Sequence, residues 1–348
     1  MKKVISVIAI FVFCMSGFVS FRSISLNYSR NSFLEDGDNF TGSEYKGNYV
    51  WGGAMNLAWN ELSENIVGDT IQFVTTDKVV QSYADRFNSQ FFTKKDLNDE
   101  SYYVKSGFGQ KTVDLINEES KAKFPTKSFS NLDIKLLDED AIAYAYFLKE
   151  VEYQTQFSEH LVKFNNKTVK GFHAANNRQR ANVRIINYWN DDKFIISILL
   201  KDAKDQLIVA KGFSMASPFE VATELQHQDL EGAVFMGPDD IFEMPKLSLQ
   251  MMRTYTELEN QVLTNKIGGR DARIMSMFEN IKFDLDHSGA RVENEAVIAV
   301  DITAAFPVKE KKIKRLVLDK PFWVLMKRSN SENPYFTLGI NNSELMRD

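Results

Sequence analysis

The stretch RVENEAVIAVDITAAFPVKEKKIKRLVLDKPFW, residues 291–323, decides the fold because its character changes twice along its length. Larger apolar side chains fall at every second residue from Ile298 to Ile302, while Ala299, Asp301 and Thr303 alternate with them, as in a half-buried strand. The run FPVKEKKIKR that follows is interrupted by proline and rich in lysine, which is typical of a solvated loop. The chain then becomes apolar again. A strand-patterned segment tethered to an exposed loop predicts a strand that forms only under some conditions.

The composition is that of a globular protein with one large domain or two ordinary ones. The 348 residues are 44% hydrophobic and 26% charged, which is enough to bury a large core. The formal net charge is -5. A net acidic chain disfavours nucleic acid as the main partner, because phosphate binding needs a basic face.

The N-terminus predicts export. Residues 1–22 hold Lys2 and Lys3 followed by an apolar run, the layout of a secretory signal peptide. Because a small-x-small cleavage pattern is weak there, the run could instead remain as an N-terminal anchor, the only membrane contact that we expect. The expected location is therefore secreted, in the extracellular space or the periplasm. Cys14, the only cysteine, lies in this segment, so the rest of the chain holds no disulfide or cysteine metal site.

Residues 23–46 form a polar, asparagine-rich arm, and the remainder mixes helix and strand patterns without a βαβ rhythm. Such a mixture predicts an α+β fold with large antiparallel sheets. The hairpin is expected to turn at the NDD of residues 190–192, and Trp59 is expected in the core. Predicted helices are GGAMNLAWNELSENI (52–66), GQKTVDLINEESKAKF (109–124), PFEVATELQHQDL (218–230) and TYTELENQVLT (254–264); predicted strands are AIAYAYF (141–147), the hairpin NVRIINYWNDDKFIISILL (182–200) and DIFEMPKLSL (240–249).

Motifs that carry chemistry are scarce. The GFGQKT of residues 107–112 lacks the glycine spacing of a phosphate loop. The sequence has no G-x-S-x-G elbow, and no pair of carboxylates stands out as an acid and a base. We therefore expect no catalytic residue, no metal and no cofactor. The histidines, none at metal-ligand spacing, are His160, His173, His227 and His287.

The run LVLDKPFWVLM, residues 316–326, resembles the best-defined signature of the serpin family, an apolar-x-apolar-Asp-basic-Pro-Phe pattern. Trp323 is its one clear departure. Residues 47–348 are accordingly interpreted as a single serpin-like domain. The signature residues are Leu318, Asp319, Lys320, Pro321 and Phe322. Weaker resemblances occur in the correct order at residues 43–62, 143–157, 183–202 and 240–263.

This resemblance implies a monomeric suicide inhibitor whose partner is a target protease. In that family the protease cuts an exposed reactive-centre loop, and the N-terminal part of the loop inserts into the main sheet as an extra strand. On this chain the loop maps to about residues 295–315, and the bond between Lys311 and Lys312 is the best choice for the cut. The hinge that inserts first maps to Glu295, Ala296, Val297, Ile298, Ala299, Val300 and Asp301; the scissile region maps to Lys309, Glu310, Lys311 and Lys312.

Two features of the loop bear on whether it inhibits, and what. Lysine before the cut implies a trypsin-like or lysine-selective serine protease, or a cysteine protease, although lysines also serve simply to keep a loop solvated. The hinge departs from the family's Gly-Thr and alanine run, because Val297 and Ile298 are stiff, β-branched residues. A shift of one residue in the register of the inserted strand would also point the side chain of Asp301 into the core. The alternative is a non-inhibitory serpin-fold binding or structural protein whose loop does not insert.

Overall fold

The computed structural model describes residues 8–10, 34–36, 47–89, 92–216, 218–226, 233–290 and 313–346. Strands dominate these ranges. In chain order they are β1 Ile8–Ile10, β2 Leu34–Asp36, β3 Asn48–Gly52, β4 Tyr102–Phe108, β5 Ala141–Phe147, β6 Val151–Glu152, β7 Ser158–Phe164, β8 Lys167–His173, β9 Val183–Asn190, β10 Lys193–Ile198, β11 Asp205–Lys211, β12 Val234–Phe235, β13 Ile241–Pro245, β14 Leu247–Thr254, β15 Val262–Ile267, β16 Arg270–Ile274, β17 Phe278–Leu285, β18 Gly289–Ala290, β19 Arg315–Val317, β20 Phe322–Arg328 and β21 Pro334–Ile340. The α-helices in the same ranges are α1 Ala54–Leu62, α2 Lys78–Asn88, α3 Gly109–Lys123, α4 Asn177–Arg180 and α5 Phe219–Gln226.

The largest sheet has eight strands in the order β12-β9-β10-β11-β20-β21-β3-β2. Strand β20 lies between β11 and β21 and runs antiparallel to both. Side chains on both faces of β20 are buried from Phe322 to Met326, so the sequence there is a continuous apolar run instead of an alternating one. The C-terminal signature therefore leads directly into the middle of the main core.

Three smaller sheets surround this core. One has the order β19-β13-β8-β7, a second the order β14-β17-β18-β6, and a five-stranded one the order β15-β16-β1-β5-β4. Strand β5 of the five-stranded sheet continues within a few residues into β6 of the second. These two sheets are therefore joined by one continuous segment of chain.

Most of the predicted elements are confirmed. Helix α1 buries Trp59, whose ring stacks on Phe87 at a centroid distance of 5.0 Å. Gly53 precedes this helix, and a Cβ there would lie 2.1 Å from the ring of Phe92, so glycine lets that ring pack against the chain. Helix α3, helix α5, strand β5 and the β9–β10 hairpin occur where the sequence predicts them.

Two predicted elements are wrong. Residues 254–264 do not form a helix: residues 256–260 form turns, and β15 begins at Val262. Asn260 has a left-handed backbone with a φ of 63°, which ends any helix, while Tyr255 and Leu258 are held in the core. The single strand predicted over residues 240–249 is two strands, since β13 ends at Pro245 and β14 joins a different sheet.

The N-terminal predictions fall largely outside the described residues. Of residues 1–22 the structure describes only β1, and of the arm at residues 23–46 only β2, which pairs in parallel with β3. Across the ranges the structure describes, no helix combines the length and apolar character needed to cross a membrane.

Candidate functional site

The feature most relevant to function is a gap between β5 and β17. Strand β5 pairs with β4 along its whole length on one side, but on the other side it pairs with β1 only at Ala141. Strand β17 likewise pairs with β14 throughout, but with β18 only at Leu285. Over most of their length, the facing edges of β5 and β17 have no described strand beside them, as if one strand were missing from a larger sheet.

A cavity of about 420 Å³ occupies this gap. Its walls come from β5 and β17, its inner side from α1, and its outer side from the segment that follows α3. Strand edges carry rows of N–H and C=O groups, and an added strand satisfies such rows on both sides at once. The gap is therefore shaped to accept one extended segment of chain.

One end of the gap already contains the start of such a strand. After β17 the chain turns at residues 286–288, and β18 runs back between β17 and β6, antiparallel to both. The backbone N–H and the hydroxyl of Ser288 donate to Asp286 Oδ1 at 2.8 and 2.7 Å. At Gly289 φ is 150°, and a Cβ would lie 2.3 Å from the carbonyl oxygen of Val151, so glycine is needed at this entry point. An extension of β18 would fill the gap.

Ala290 sets the face that an extended β18 presents to the core. Its side chain is 3% exposed and packs in the main hydrophobic cluster together with Val151. Because side chains alternate along a strand, residues of the same parity, including Ile298 and Ile302, would also face the core, while Asp301 would face outward. This is the face predicted from the sequence pattern. The hinge residues from Glu295 to Asp301 lie outside the described residues.

The inner side of the gap has room for large side chains. Strand β5 points Ala141, Ala143 and Ala145 inward before Phe147, and Ala141 and Ala143 are buried at 0% and 1% exposure. Small residues opposite large ones allow facing strands to interdigitate, which suits the isoleucines and valine of the loop. Glu279 of β17 is also buried on this wall, and its carboxylate accepts a hydrogen bond from the hydroxyl of Tyr255 at 3.3 Å.

The outer side of the gap is lined by Tyr144 and Tyr146, which are held in turn by a lysine. Lys127, in the segment after α3, donates to the hydroxyl of Tyr144 at 2.9 Å and to Ser120 Oγ at 3.2 Å. Its ammonium lies 5.2 Å from the ring centres of both Tyr144 and Tyr146. Burial lowers the pKa of Lys127 and raises the pKa of Tyr146 to about 12. Outward-facing residues of an inserted strand would meet this polar and aromatic cover.

The turn at residues 286–288 is held by contacts that sequence reasoning missed. The carbonyl of His287 accepts from the backbone N–H of Phe157 at 2.8 Å, and the carbonyl of Ser288 from that of Tyr153 at 3.0 Å. Glu159 faces His287 at 3.6 Å and forms an ion pair with Lys246, and the hydrogen bond from this lysine lowers the pKa of Glu159. These partners are distant in sequence, so no local sequence pattern predicts the contacts between them.

The signature residues anchor the chain where it returns from the loop. Leu318 and Phe322 are buried at 1% and 0% exposure. Asp319 is bonded at 2.6 Å by the ammonium of Lys211, a side chain that is 3% exposed and that also donates to the carbonyl of Val317 at 2.9 Å. Lys320 pairs with Asp192 at 3.0 Å, and Pro321 sits between these ion pairs and β20. The signature residues therefore anchor the start of β20 in the fold.

Trp323, the departure from the signature, is accommodated by a glycine. The side chain is fully buried, and its indole N–H donates to the carbonyl of Ser214 at 3.0 Å. On the neighbouring strand, a Cβ at Gly339 would lie 2.7 Å from the indole ring. The larger ring therefore fits because its cross-strand neighbour has no side chain.

The remaining predicted residues are the scissile region and the histidines. The scissile residues from Lys309 to Lys312 lie outside the described residues, and the described chain resumes at Ile313. The rings of His160 and His173 stack with their centres 4.5 Å apart. Burial lowers the pKa of His173, and the neighbouring imidazole of His160 lowers it further. In the ranges that the structure covers, no three histidine, cysteine or acidic side chains gather as metal ligands would.

Comparison with known proteins identifies the fold. No protein-family model matches the sequence, and no curated protein sequence matches it. The chain superposes on Serpin48, a highly specific serpin of the insect Tenebrio molitor, with a TM-score of 0.50 and 11% identity over 88% of this chain and 96% of that one. On the native state of Tengpin, a thermophilic serpin, the TM-score is 0.53 with 13% identity over 88% and 91% of the two chains. The chain has the α+β serpin fold, as its sequence predicts.

Proposed function

We propose that the protein is an exported protease inhibitor that traps its target by inserting the cut loop between β5 and β17. The observation that carries the proposal is the gap itself, with β18 already seated at one end of it. Export rests on residues 1–22, and the role requires no catalytic residue of the inhibitor's own.

The reaction belongs to the target protease. Its nucleophile attacks the carbonyl carbon of Lys311, the peptide bond to Lys312 breaks, and the new amine remains on the C-terminal piece. The proton of the nucleophile passes to that amine, and the acyl carbon of Lys311 is left joined to the protease as an ester of serine or a thioester of cysteine. Extension of β18 by the 21 residues from 291 to 311 carries that ester about 70 Å, at ~3.3 Å for each residue of strand. Distortion of the carried protease prevents hydrolysis of the ester.

The free energy for insertion comes from the gap and the loop together. Each of the three larger apolar side chains Ile298, Val300 and Ile302 gains about 1.5–3 kcal/mol when it is buried. The backbone hydrogen bonds that the inserted strand forms with β5 on one side and β17 on the other add roughly 0.5–1.5 kcal/mol each. The target is a trypsin-like or lysine-selective serine protease, or a cysteine protease, because the scissile region offers lysine at Lys309, Lys311 and Lys312.

A second function, that of a serpin-fold binding or structural protein, is favoured by two observations. The stiff side chains of Val297 and Ile298 slow the entry of the hinge, and slow insertion lets a protease hydrolyse the ester and leave. Strand β1 lies between β16 and β5 and pairs with Ala141, so it occupies the far end of the path that an extended β18 would follow. Insertion to full depth must displace β1.

Mixing the protein with trypsin distinguishes these functions. An inhibitor gives a band at the summed mass on a denaturing gel, and its cleaved form melts at a higher temperature than the intact chain. Trypsin whose nucleophilic serine is replaced by alanine must give no such band. Clean cleavage without a covalent band and without stabilisation would reject the inhibitor and leave the binding protein. A covalent band without stabilisation would contradict insertion into the gap.

A further inference from the structure

The tip of the β9–β10 hairpin, residues 190–192, supports the chain where it returns from the loop. The backbone N–H of Arg315 donates to Asp191 Oδ1 at 3.1 Å, and the ammonium of Lys314 lies 5.7 Å from the ring centre of Tyr188. The proposed cut before Lys312 is three residues from Arg315, or at most about 11 Å of extended chain. A protease that binds the loop at this cut would lie close to this hairpin.

One flank of the hairpin carries a fixed aromatic and cationic surface. Trp189 is 41% exposed although it is large and apolar, and its ring meets that of Phe213 edge to face at 5.9 Å. The ammonium of Lys193 lies 5.1 Å from the ring centre of Trp189 and 4.8 Å from that of Phe213. We call Trp189, Lys193 and Phe213 the hairpin platform. Exposed tryptophans in rigid surroundings are the side chains most enriched among the energetic centres of protein interfaces.

Two cations stand beside the platform on a chain whose net charge is -5. The acids of the tip have partners within the fold, since Asp191 accepts from the Tyr188 hydroxyl, and Asp192, although 62% exposed, pairs with Lys320 and the buried Lys211. The two cations are Lys193, whose ammonium lies over the platform rings, and the exposed Arg315. Positive surface beside a cleavage site attracts a partner with negative surface beside its cleft.

We propose that the hairpin platform docks the target protease outside its active site, and that this protease has an acidic surface next to its substrate cleft. The proposal rests on the proposed function for the identity of the partner. It adds a specificity element that lies outside the loop, because two proteases with the same preference for lysine would then differ in how fast they cut the chain.

The test compares an anionic and a cationic trypsin, which share the preference for lysine and differ in surface charge. The second-order rate constant for loop cleavage is measured on full chains carrying Lys193→Glu, Trp189→Ala or Lys266→Glu. Lys266, on β15, is 61% exposed, and its replacement by Glu makes the same change of charge away from the loop. Lys266→Glu is therefore the matched control. Thermal melts identify any variant that is destabilised, and if Trp189→Ala is one, Lys193→Gln takes its place.

We expect Lys193→Glu to slow cleavage by anionic trypsin about tenfold at low salt, with a smaller effect at high salt and with the cationic enzyme. Trp189→Ala should slow both enzymes about tenfold. Platform variants that are cut as fast as Lys266→Glu by both enzymes would overturn the proposal. Cleavage rates need no covalent complex, so this result is independent of whether the chain inhibits.

Discussion

The most direct test of insertion into the gap is to place a charge on the face of the loop that is predicted to enter the core. Ala290 faces the core, so Ile298, eight residues later, shares its parity and Ala299 does not. Ile298→Glu would bury a carboxylate in a cavity that already holds the buried Glu279. Ala299→Glu would place the same group on the outer side, toward the segment that follows α3. The two variants carry the same charge at adjacent positions, and only Ile298→Glu would bury it.

The size of the difference follows from two terms. An uncompensated buried charge costs about 3–5 kcal/mol, and the lost burial of the isoleucine side chain adds about 1.5–3 kcal/mol. At about 1.4 kcal/mol for each factor of ten, a loss of roughly 5 kcal/mol lowers the equilibrium constant for insertion more than a thousandfold. With about 2 °C of melting temperature for each kcal/mol in a chain of this size, the difference is on the order of 10 °C.

The assay cuts the loop of each variant to completion and compares the melting temperature before and after. The cleaved wild type and Ala299→Glu should both be stabilised, and Ile298→Glu should gain nothing. Each cleaved variant is compared with its own uncleaved form, so that any effect of the substitution on the intact chain cancels. Equal stabilisation of both variants, or loss of stabilisation only in Ala299→Glu, would refute the register that β18 sets.

Three further changes test the described contacts. Lys211→Ala removes the charged hydrogen bond to Asp319 and the bond to the carbonyl of Val317; since Asp319 is 41% exposed, we expect unfolding in urea to require only about 2 kcal/mol less free energy. Gly339→Ala forces a Cβ to within 2.7 Å of Trp323 and should cost about 1–3 kcal/mol, most of which Trp323→Phe in the same chain should restore. Because the native pKa of Glu159 lies below its ordinary value of 4.5, its pair stabilises the fold above that pH and is lost as the pH falls. In Glu159→Gln the melting temperature should therefore fall less steeply as the pH drops below about 5. An unchanged fall would show that this pair is not its cause.

The fold class could be read from the sequence because its strongest signals are local. The apolar spacing around Trp59 specifies helix α1, and the apolar run from Phe322 to Met326 specifies strand β20, which is buried on both faces. The error at residues 254–264 arose where apolar spacing suits a helix but Asn260 takes a left-handed backbone. Tertiary packing of Tyr255 and Leu258 decided that conformation, and propensity did not.

The candidate site was only half predictable for a physical reason. The alternation of Ile298, Val300 and Ile302 can be read without coordinates, because it is a period of two along one segment. The gap that would receive these residues is a property of two strands more than a hundred residues apart, β5 and β17, and no local pattern encodes their separation. The same holds for the ion pair between Glu159 and Lys246, which holds the turn from which the loop departs.

The position of the last two strands has a consequence for any cut in the loop. The C-terminal piece supplies β20 and β21 to the interior of the eight-stranded sheet, between β11 and β3, so cleavage divides the chain without releasing either part. The cut protein is then a complex of two polypeptides held without a covalent link, and its unfolding is also a dissociation. Its melting temperature should rise with protein concentration while that of the intact chain stays constant, and its refolding should become second order.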